Sequence, residues 1–377
     1  TFFSNSQTFV STQGIQGDRW NELSVDLSNW SYRNNITKIE VAFRSVTYSA
    51  NWLARHQLDH AGFSAYPASY PGAVSQVTAT ASQITVQGTY AATTPVQLDL
   101  IELQPYDKYD ITATYTPQAT QTVSPSGGVV SFSLATARYA SSRDKAYSKF
   151  AVVDRTTKKL VAQPTYVTEQ TAPANTYPFP TASSIKGLQV QTVDDAQKLG
   201  ISHAALNVTF NDLFRDGPTG AIPFAMDGTT YYFDAAYVAQ LDRDIKTLSD
   251  DDVIVSLILL MMNEPGTINA KLLHPDYSGA GTVAAVNAND AEGVRYWKAG
   301  MEFIASRYTR ADEMFGRAVN YIVGNEVNSQ SYWYDMGYKT LQDFVAQYAQ
   351  AYRIAETAVK KYYGNARTYI SLDHFWN

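Results

Sequence analysis

From residue 185 onward, short and largely apolar runs alternate with long amphipathic stretches. The runs are "IKGLQV", "HAALNVTF", "VIVSLILLMM", "VNYIVG" and "RTYISLDHFW". A strand that is apolar along its length has to be covered on both faces, whereas a half-exposed strand alternates with period two. Between the runs lie "TVDDAQKLG", "DAAYVAQLDRDIKTLSD", "DAEGVRYWKAGMEFIASRY" and "LQDFVAQYAQAYRIAETAVKKYY", whose apolar residues fall at helical spacing. Thr192 stands as the N-cap of the first and Gly200 just past its end. Five strands alternating with helices predict a parallel sheet. A doubly wound sheet and a (β/α)8 barrel both meet that pattern. No glycine-rich phosphate loop follows any of the strands, which counts against nucleotide-binding folds.

The chain before this point reads differently. "NELSVDLSNW", "ITKIEVAFRS", "SQITVQGTYA", "YDITATYTP" and "GGVVSFSLA" alternate apolar and polar residues and are separated by Gly, Pro and Ser turn signals. The expected organisation is a β-sandwich module over 1–79, incomplete at its start, and an immunoglobulin-like sandwich over 80–164. The break near residue 80 follows the Pro/Gly/Ala-rich "FSAYPASYPGAVS". A Pro/Thr/Ala-rich linker is expected over 165–184, and a TIM-type barrel domain from 185 to 377 that stops after its fifth strand. Thr1 opens on a strand-like segment with no initiator Met and no signal-peptide core, so a trimmed chain is expected.

Composition narrows the function classes. With 45% apolar and 17% charged residues the chain is globular. A net charge of −6 gives no electrostatic reason for nucleic-acid or anionic-lipid binding. No run approaches the roughly 20 apolar residues of a membrane helix. Cysteine is absent, which excludes disulfides, thiol catalysis and thiolate metal sites. The five His are scattered without zinc-ligand spacing, and "DRDIKTLSDDD" lacks the glycine of a calcium loop. Neither a metal nor a cofactor is expected. The 27 Tyr, with a Thr-, Ser-, Gln- and Asn-rich first half, suit a β-surface that meets uncharged polar ligands such as sugars. A secreted or cell-surface bacterial protein is the matching expectation.

Polar and aromatic residues cluster after the strand ends: Asn207, Asn211, Asn263, Glu264, Asn325, Glu326, Asp373, His374 and Trp376. In a barrel all of these gather at one face, where active sites are built. Glycosidic cleavage needs a carboxylic acid to protonate the leaving oxygen, and a second carboxylate opposite it. Two Asn-Glu pairs compete for the first role. Glu326 follows Asn325, a donor for a sugar hydroxyl, and precedes Tyr332, Trp333 and Tyr334, candidate stacking platforms. Glu264 precedes Pro265 and opens a long Gly- and Asn-rich loop, where a carboxylate more often caps or is solvated, yet by pattern alone Asn-Glu-Pro is the more enzyme-like run, so the choice rests on strand count. Trp20, Trp30 and Trp52 read first as sandwich-core aromatics. His274 reads as a loop residue.

Here the chain resembles the clan-A (β/α)8 glycoside hydrolases. In that clan the acid/base glutamate follows an asparagine at the end of the fourth strand. Counted from "IKGLQV", the fourth strand is "VNYIVG", so the matching pair is Asn325 and Glu326, and "MMNEP" ends the third. More narrowly, "HAALNVTFNDLF", "YIVGNEVNS" and "YISLDHFWN" resemble an uncharacterised bacterial family of clan-A type with β-domains ahead of the barrel. The resemblance covers about residues 80–377. It implies a retaining glycosidase with Glu326 as acid/base.

Asn325, Asn207, Asn263, Glu264, Trp333, Asp373, His374 and Trp376 are the expected sugar contacts. The clan's nucleophile is a glutamate on the seventh strand, which the five strands here do not include. The partners expected are a carbohydrate and the remaining part of the same protein. The alternative is a carbohydrate-binding or scaffold protein with a degenerate barrel.

Overall fold

The computed structural model describes residues 2–4, 7–9, 38–39, 70–110, 114–264, 266 and 268–374. The chain separates into two compact units, one of residues 1–59 with 374–377 and one of residues 60–373. In the first, Phe2–Ser4 pairs antiparallel with Gln7–Phe9 and with Lys38–Ile39. The remaining expected strands of that region, and Trp20, Trp30 and Trp52, lie outside the described residues.

The second unit opens with two four-stranded sheets. One orders Thr165–Tyr166, Lys149–Asp154, Val96–Leu103 and Ala119–Val123; the other orders Glu169–Gln170, Gly72–Ala79, Gln83–Ala91 and Val129–Ala137. Alternation does what it predicts here: Ile84 and Val86, then Val130, Phe132 and Leu134, turn inward onto Leu98, Leu100, Phe150 and Val152. Burying each such side chain contributes about 1.5–3 kcal/mol.

Three expectations change. The break near residue 80 falls inside a hairpin, because Ala79 pairs with Ile84. "YDITATYTP" forms no strand among its described residues; the edge strand is Ala119–Val123, held by pairing with Val96–Leu100. The start of the 165–184 linker belongs to the sandwich, since Phe150 pairs with Thr165 and Thr78 with Glu169.

The rest of the unit is an open parallel sheet. We label its strands β1 (Gly187–Gln189), β2 (His203–Thr209), β3 (Ile254–Met262), β4 (Ala318–Val323) and β5 (Arg367–Tyr369). Its helices are α1 (Val193–Leu199), α2 (Ala235–Asp250), α3 (Ala291–Tyr308) and α4 (Leu341–Tyr362). The strands lie side by side in chain order, all parallel. A doubly wound sheet reverses direction at a switch point, and this order never reverses. Right-handed crossovers that all step the same way place every helix on one face. Accordingly Val255, Leu257, Leu259 and Met261 of β3 share one core with Val238, Leu241 and Ile245 of α2 and Ile354 and Ala358 of α4. Ile258 and Leu260 point to the other face, toward Val283, Ile322 and Trp333. Among the described residues β1 does not pair with β5, so the sheet is open and a closed barrel is not formed by them.

Helix ends follow local chemistry. Asp234 accepts from the amides of Ala236 and Tyr237, Asp290 from Gly293 and Thr340 from Asp343, each satisfying a first-turn donor. Gly200 closes α1 in the left-handed conformation. One element has no counterpart in the sequence reading: a three-stranded antiparallel sheet of Phe214–Arg215, Ala221–Met226 and Thr229–Asp234 within the excursion after β2. No described helix is long and apolar enough to cross a membrane.

A buried ionic network joins the sandwich to this sheet. The Glu302 carboxylate on α3, 3% exposed, accepts from Tyr147 Oη (2.8 Å), Tyr362 Oη (2.9 Å) and Lys361 Nζ (2.9 Å). Asp144 receives two Arg138 bonds of 2.9 Å and the amide of Ala146. Burial alone raises the Asp144 carboxyl; Arg138, the Ala146 amide and Lys361 outweigh it and leave it below the usual carboxylate range.

Removing one partner strands a buried charge. Glu302→Ala should therefore cost about 3 kcal/mol in urea unfolding, and a loss under about 1 kcal/mol would contradict the network's role. Asp144 binds its proton less readily folded than unfolded. Its contribution is complete above about pH 4 and is lost as pH falls through the lower folded value. Asp144→Asn should flatten the decline of stability below pH ~4, whereas an unchanged slope would place the effect elsewhere.

Candidate functional site

β4 is buried along its length and ends in Gly324, whose φ of +76° only glycine adopts at little cost. A Cβ there would lie 2.5 Å from the Tyr334 ring. Tyr334 is 1% exposed and packs edge-on to Phe344 and Tyr348, so it is a core residue beneath the turn and not a stacking platform. Asn325 follows, half-buried. Glu326 then takes φ +43°, a left-handed backbone that costs an L-residue about 1–2 kcal/mol. Five other described non-glycine residues have positive φ, two of them (Ser141 and Asp227) just past strands of small antiparallel sheets, but among the described residues only Glu326 follows a strand of the parallel sheet.

The turn is tied at both ends. The Glu326 carbonyl accepts from the Ser329 amide at 2.8 Å, and Val327, 4% exposed, anchors it from within. The Glu326 amide donates to Ser371 Oγ at 3.2 Å and the Val327 amide to the Ser371 carbonyl at 3.0 Å. Among the described residues none hydrogen-bonds or ion-pairs with the Glu326 carboxylate, which is half-buried. A carboxyl so placed is available to a ligand.

The face of the sheet away from the helices carries the other expected contacts. Asn207, Ile258, Ile322 and Tyr369 are in register and form one rung across it. Asn207 is exposed and accepts from Gln189 Nε2 at 3.2 Å. Below it lie Gln189, Ala205, Ser256, Asn320 and Arg367 in register, with Asn320 Nδ2 donating to Ser256 Oγ at 3.1 Å. Above, Trp333 is half-buried among Ile258, Leu260 and Val283, and Tyr332, 55% exposed, meets it edge-on with centroids 5.2 Å apart. Trp333 therefore packs its ring against the apolar upper part of this face.

The exit of β3 behaves differently. Asn263 and Glu264 are both exposed, and the Glu264 carbonyl accepts from Asn269 Nδ2. Asn211 clips the strand end by accepting from the Met262 amide at 2.8 Å. Beside it is a cavity of about 390 Å³ lined by Asn211, Phe214, Arg215, Thr219 and Ile268 among others. Burial raises the Tyr237 hydroxyl to about 12, and that hydroxyl accepts from the Thr209 amide at the exit of β2.

His274 is 2% exposed; its Nδ1 accepts from the Asp276 amide and its Nε2 bonds Gln347 Oε1, and burial pushes its pKa down. It is a neutral core histidine. Asp373 is 5% exposed, accepts from Ser329 Oγ, and donates its amide to Asn328 Oδ1 at 2.6 Å. His374 is exposed, and Trp376 lies outside the described residues. Among the described residues no cluster of His, Asp or Glu is arranged to hold a metal ion.

The structure thus brings Asn325, Glu326 and Asp373 together at one turn and sets Trp333 and Asn207 on the adjoining face. Asn263 and Glu264 stand apart on the next exit. Ser371 and Ser329 were missed by sequence reasoning, since their contacts join segments more than 40 residues apart and leave no local pattern. Gly324→Ala should lower unfolding free energy by more than about 2 kcal/mol, because it adds both backbone strain and a clash with Tyr334. Stability within about 0.5 kcal/mol of the parent would show that the turn is not held as described.

No curated protein matches this chain. Two solved structures illustrate how slight the structural likenesses are. A calcium-binding mutant of Bacteroides uniformis beta-glucuronidase 2 is 10% identical over 79% of this chain and 33% of its own, with a TM-score of 0.24. An inactive mutant of a GH20 exo beta-N-acetylglucosaminidase from Vibrio harveyi is 8% identical over 80% of this chain and 75% of its own, with a TM-score of 0.21. The chain spans about a third of the first, and likeness at this level carries no argument about fold or chemistry. Residues 178–377, more than half of the chain, match the family of unknown function DUF5722, and the chain belongs to that family.

Proposed function

We propose that this protein is a glycoside hydrolase acting on a poly- or oligosaccharide, with Glu326 as its general acid/base. One observation carries the reading. A half-buried glutamate whose carboxylate has no described partner stands on left-handed backbone past the C-terminal end of the fourth of five parallel strands laid in chain order. Strained backbone at a strand end is where sites are built, and the inference runs from the outlier to the function.

Departure of a sugar leaving group needs a proton at the glycosidic oxygen while positive charge builds on the anomeric carbon. In this reading Glu326 gives that proton as the C–O bond breaks, and then takes one from the attacking water. Asn325 donates to a neighbouring sugar hydroxyl. Trp333 and Tyr332 supply apolar surface for a pyranose ring. Asn207 contacts hydroxyls from two strands away, and Asn263 and Glu264 approach from the exit of β3. A retaining mechanism, a closed (β/α)8 barrel, a sugar-binding N-terminal module and an extracellular bacterial setting belong to the same proposal. The first two rest on the clan-A resemblance, and the last two on the Tyr-rich composition with its Thr-, Ser-, Gln- and Asn-rich first half.

Screening the protein against polysaccharides and aryl glycosides should give an activity that Glu326→Gln lowers by about 10²–10⁴-fold. Glu264→Gln should stay within a few-fold of the parent. The reverse ranking would move the acid to the exit of β3. Sugar binding without turnover by the parent would favour a binding module.

A further inference from the structure

We propose that Ser371 and Asp373, on the segment leaving β5, are the positioning residues of Glu326; the proposal rests on the glycosidase reading above. Four main-chain or side-chain bonds tie the turn 326–329 to this segment. The Glu326 amide donates to Ser371 Oγ (3.2 Å), and the Val327 amide to the Ser371 carbonyl (3.0 Å). The Asp373 amide donates to Asn328 Oδ1 (2.6 Å), and Ser329 Oγ donates to Asp373 Oδ2. Ser329 in turn donates its amide to the Glu326 carbonyl (2.8 Å). Each residue of the turn is thereby fixed, directly or through its neighbour, to the adjacent strand's exit.

Asp373 is 5% exposed and its carboxylate faces Ser329, so it works on the turn from within the protein. Glu326 has φ +43°, a conformation its own strand does not impose. The strap does. A shift of about 1 Å in a catalytic group costs on the order of 10²-fold in rate, so the strap's effect is visible in kinetics even where the fold survives.

The chemistry supplies a specific readout. As the glycosidic C–O bond breaks, its electron pair goes to the leaving oxygen, and the Glu326 proton moves to that oxygen, leaving a carboxylate. A 2,4-dinitrophenolate leaves without that proton, whereas a 4-methoxyphenol needs it. A misplaced acid therefore slows only the second. General loosening of the site slows both.

The test compares kcat/KM for the 2,4-dinitrophenyl and 4-methoxyphenyl glycosides of one accepted sugar. The proteins are the parent, Asp373→Ala, Asp373→Asn, Ser371→Ala and Glu326→Gln. Asp373→Ala and Ser371→Ala should lose about 10–100-fold on the methoxyphenyl substrate and less than about 3-fold on the dinitrophenyl one. Asp373→Asn, whose amide oxygen still accepts from Ser329, should stay near the parent on both. Equal losses on the two substrates, or no loss, would overturn the strap. Should Asp373→Ala fail to fold by circular dichroism, Ser371→Ala, which removes one hydroxyl, decides. If Glu326→Gln cleaves the methoxyphenyl glycoside at the parent rate, the glycosidase reading itself falls. If Glu326→Gln is inactive there while the strap variants keep the parent rate, only the strap falls.

Discussion

Strand β3 is the constraint on which the α/β part depends. It pairs with β2 over seven residues and with β4 over five, and it is buried on both faces. Pairing in parallel forces each connection to cross over, and crossovers that all step one way leave the helices on a single side. The side away from these four crossover helices is then free for a different task. Its lower rung is polar, with Ser256 and Asn320 hydrogen-bonded, and its upper part is apolar with Trp333 beside it. Register also sets Thr209 beside Leu260 and Val323 beside Leu259, so the exits of β2, β3 and β4 emerge at one edge.

Of the exits of β3 and β4, the fourth strand's is the stiffer. Gly324 presses its backbone onto a buried tyrosine, and the turn that follows is tied to the segment beyond β5. Asn263 and Glu264, on the exit of β3, are exposed. A proton donor has to be held within a fraction of an ångström of its acceptor, and side chains on rigid supports meet that demand better than side chains on open loops. This difference in support, more than the shared Asn-Glu dipeptide, separates Glu326 from Glu264.

Much of this architecture was legible residue by residue. The unbroken apolar run of β3 announced a doubly covered strand, and Gly200 marked the end of α1. Thr192 stands at the start of α1 but caps no amide with its side chain, whereas Asp234, Asp290 and Thr340, which do, were not singled out. The small sheet after β2 was legible too, and was missed. Asp227 and Gly228, both at positive φ, form the two-residue loop between Met226 and Thr229, the Asp-Gly hairpin signal. The strand expected at 109–117 is not formed by its described residues, for another reason. Alternating Thr and Tyr suit extended backbone in general, and pairing with Val96–Leu100 chose Ala119–Val123 instead. Tyr334 was misread as a surface aromatic because nothing local reveals that Gly324 leaves room for its ring. The bonds from Ser371 and Asp373 to the 326–329 turn were out of reach for the same reason: they exist only once β5 lies beside β4.

The central claim is that the Glu326 carboxyl meets a glycosidic oxygen. A crystal structure of Glu326→Gln with a bound oligosaccharide from the panel it fails to cleave tests this most directly. The account predicts a glycosidic oxygen within about 3 Å of the side-chain amide at position 326, with a sugar ring against Trp333. An oligosaccharide whose glycosidic oxygens all lie beside Glu264 or in the cavity lined by Asn211 and Arg215, with none at position 326, would contradict it.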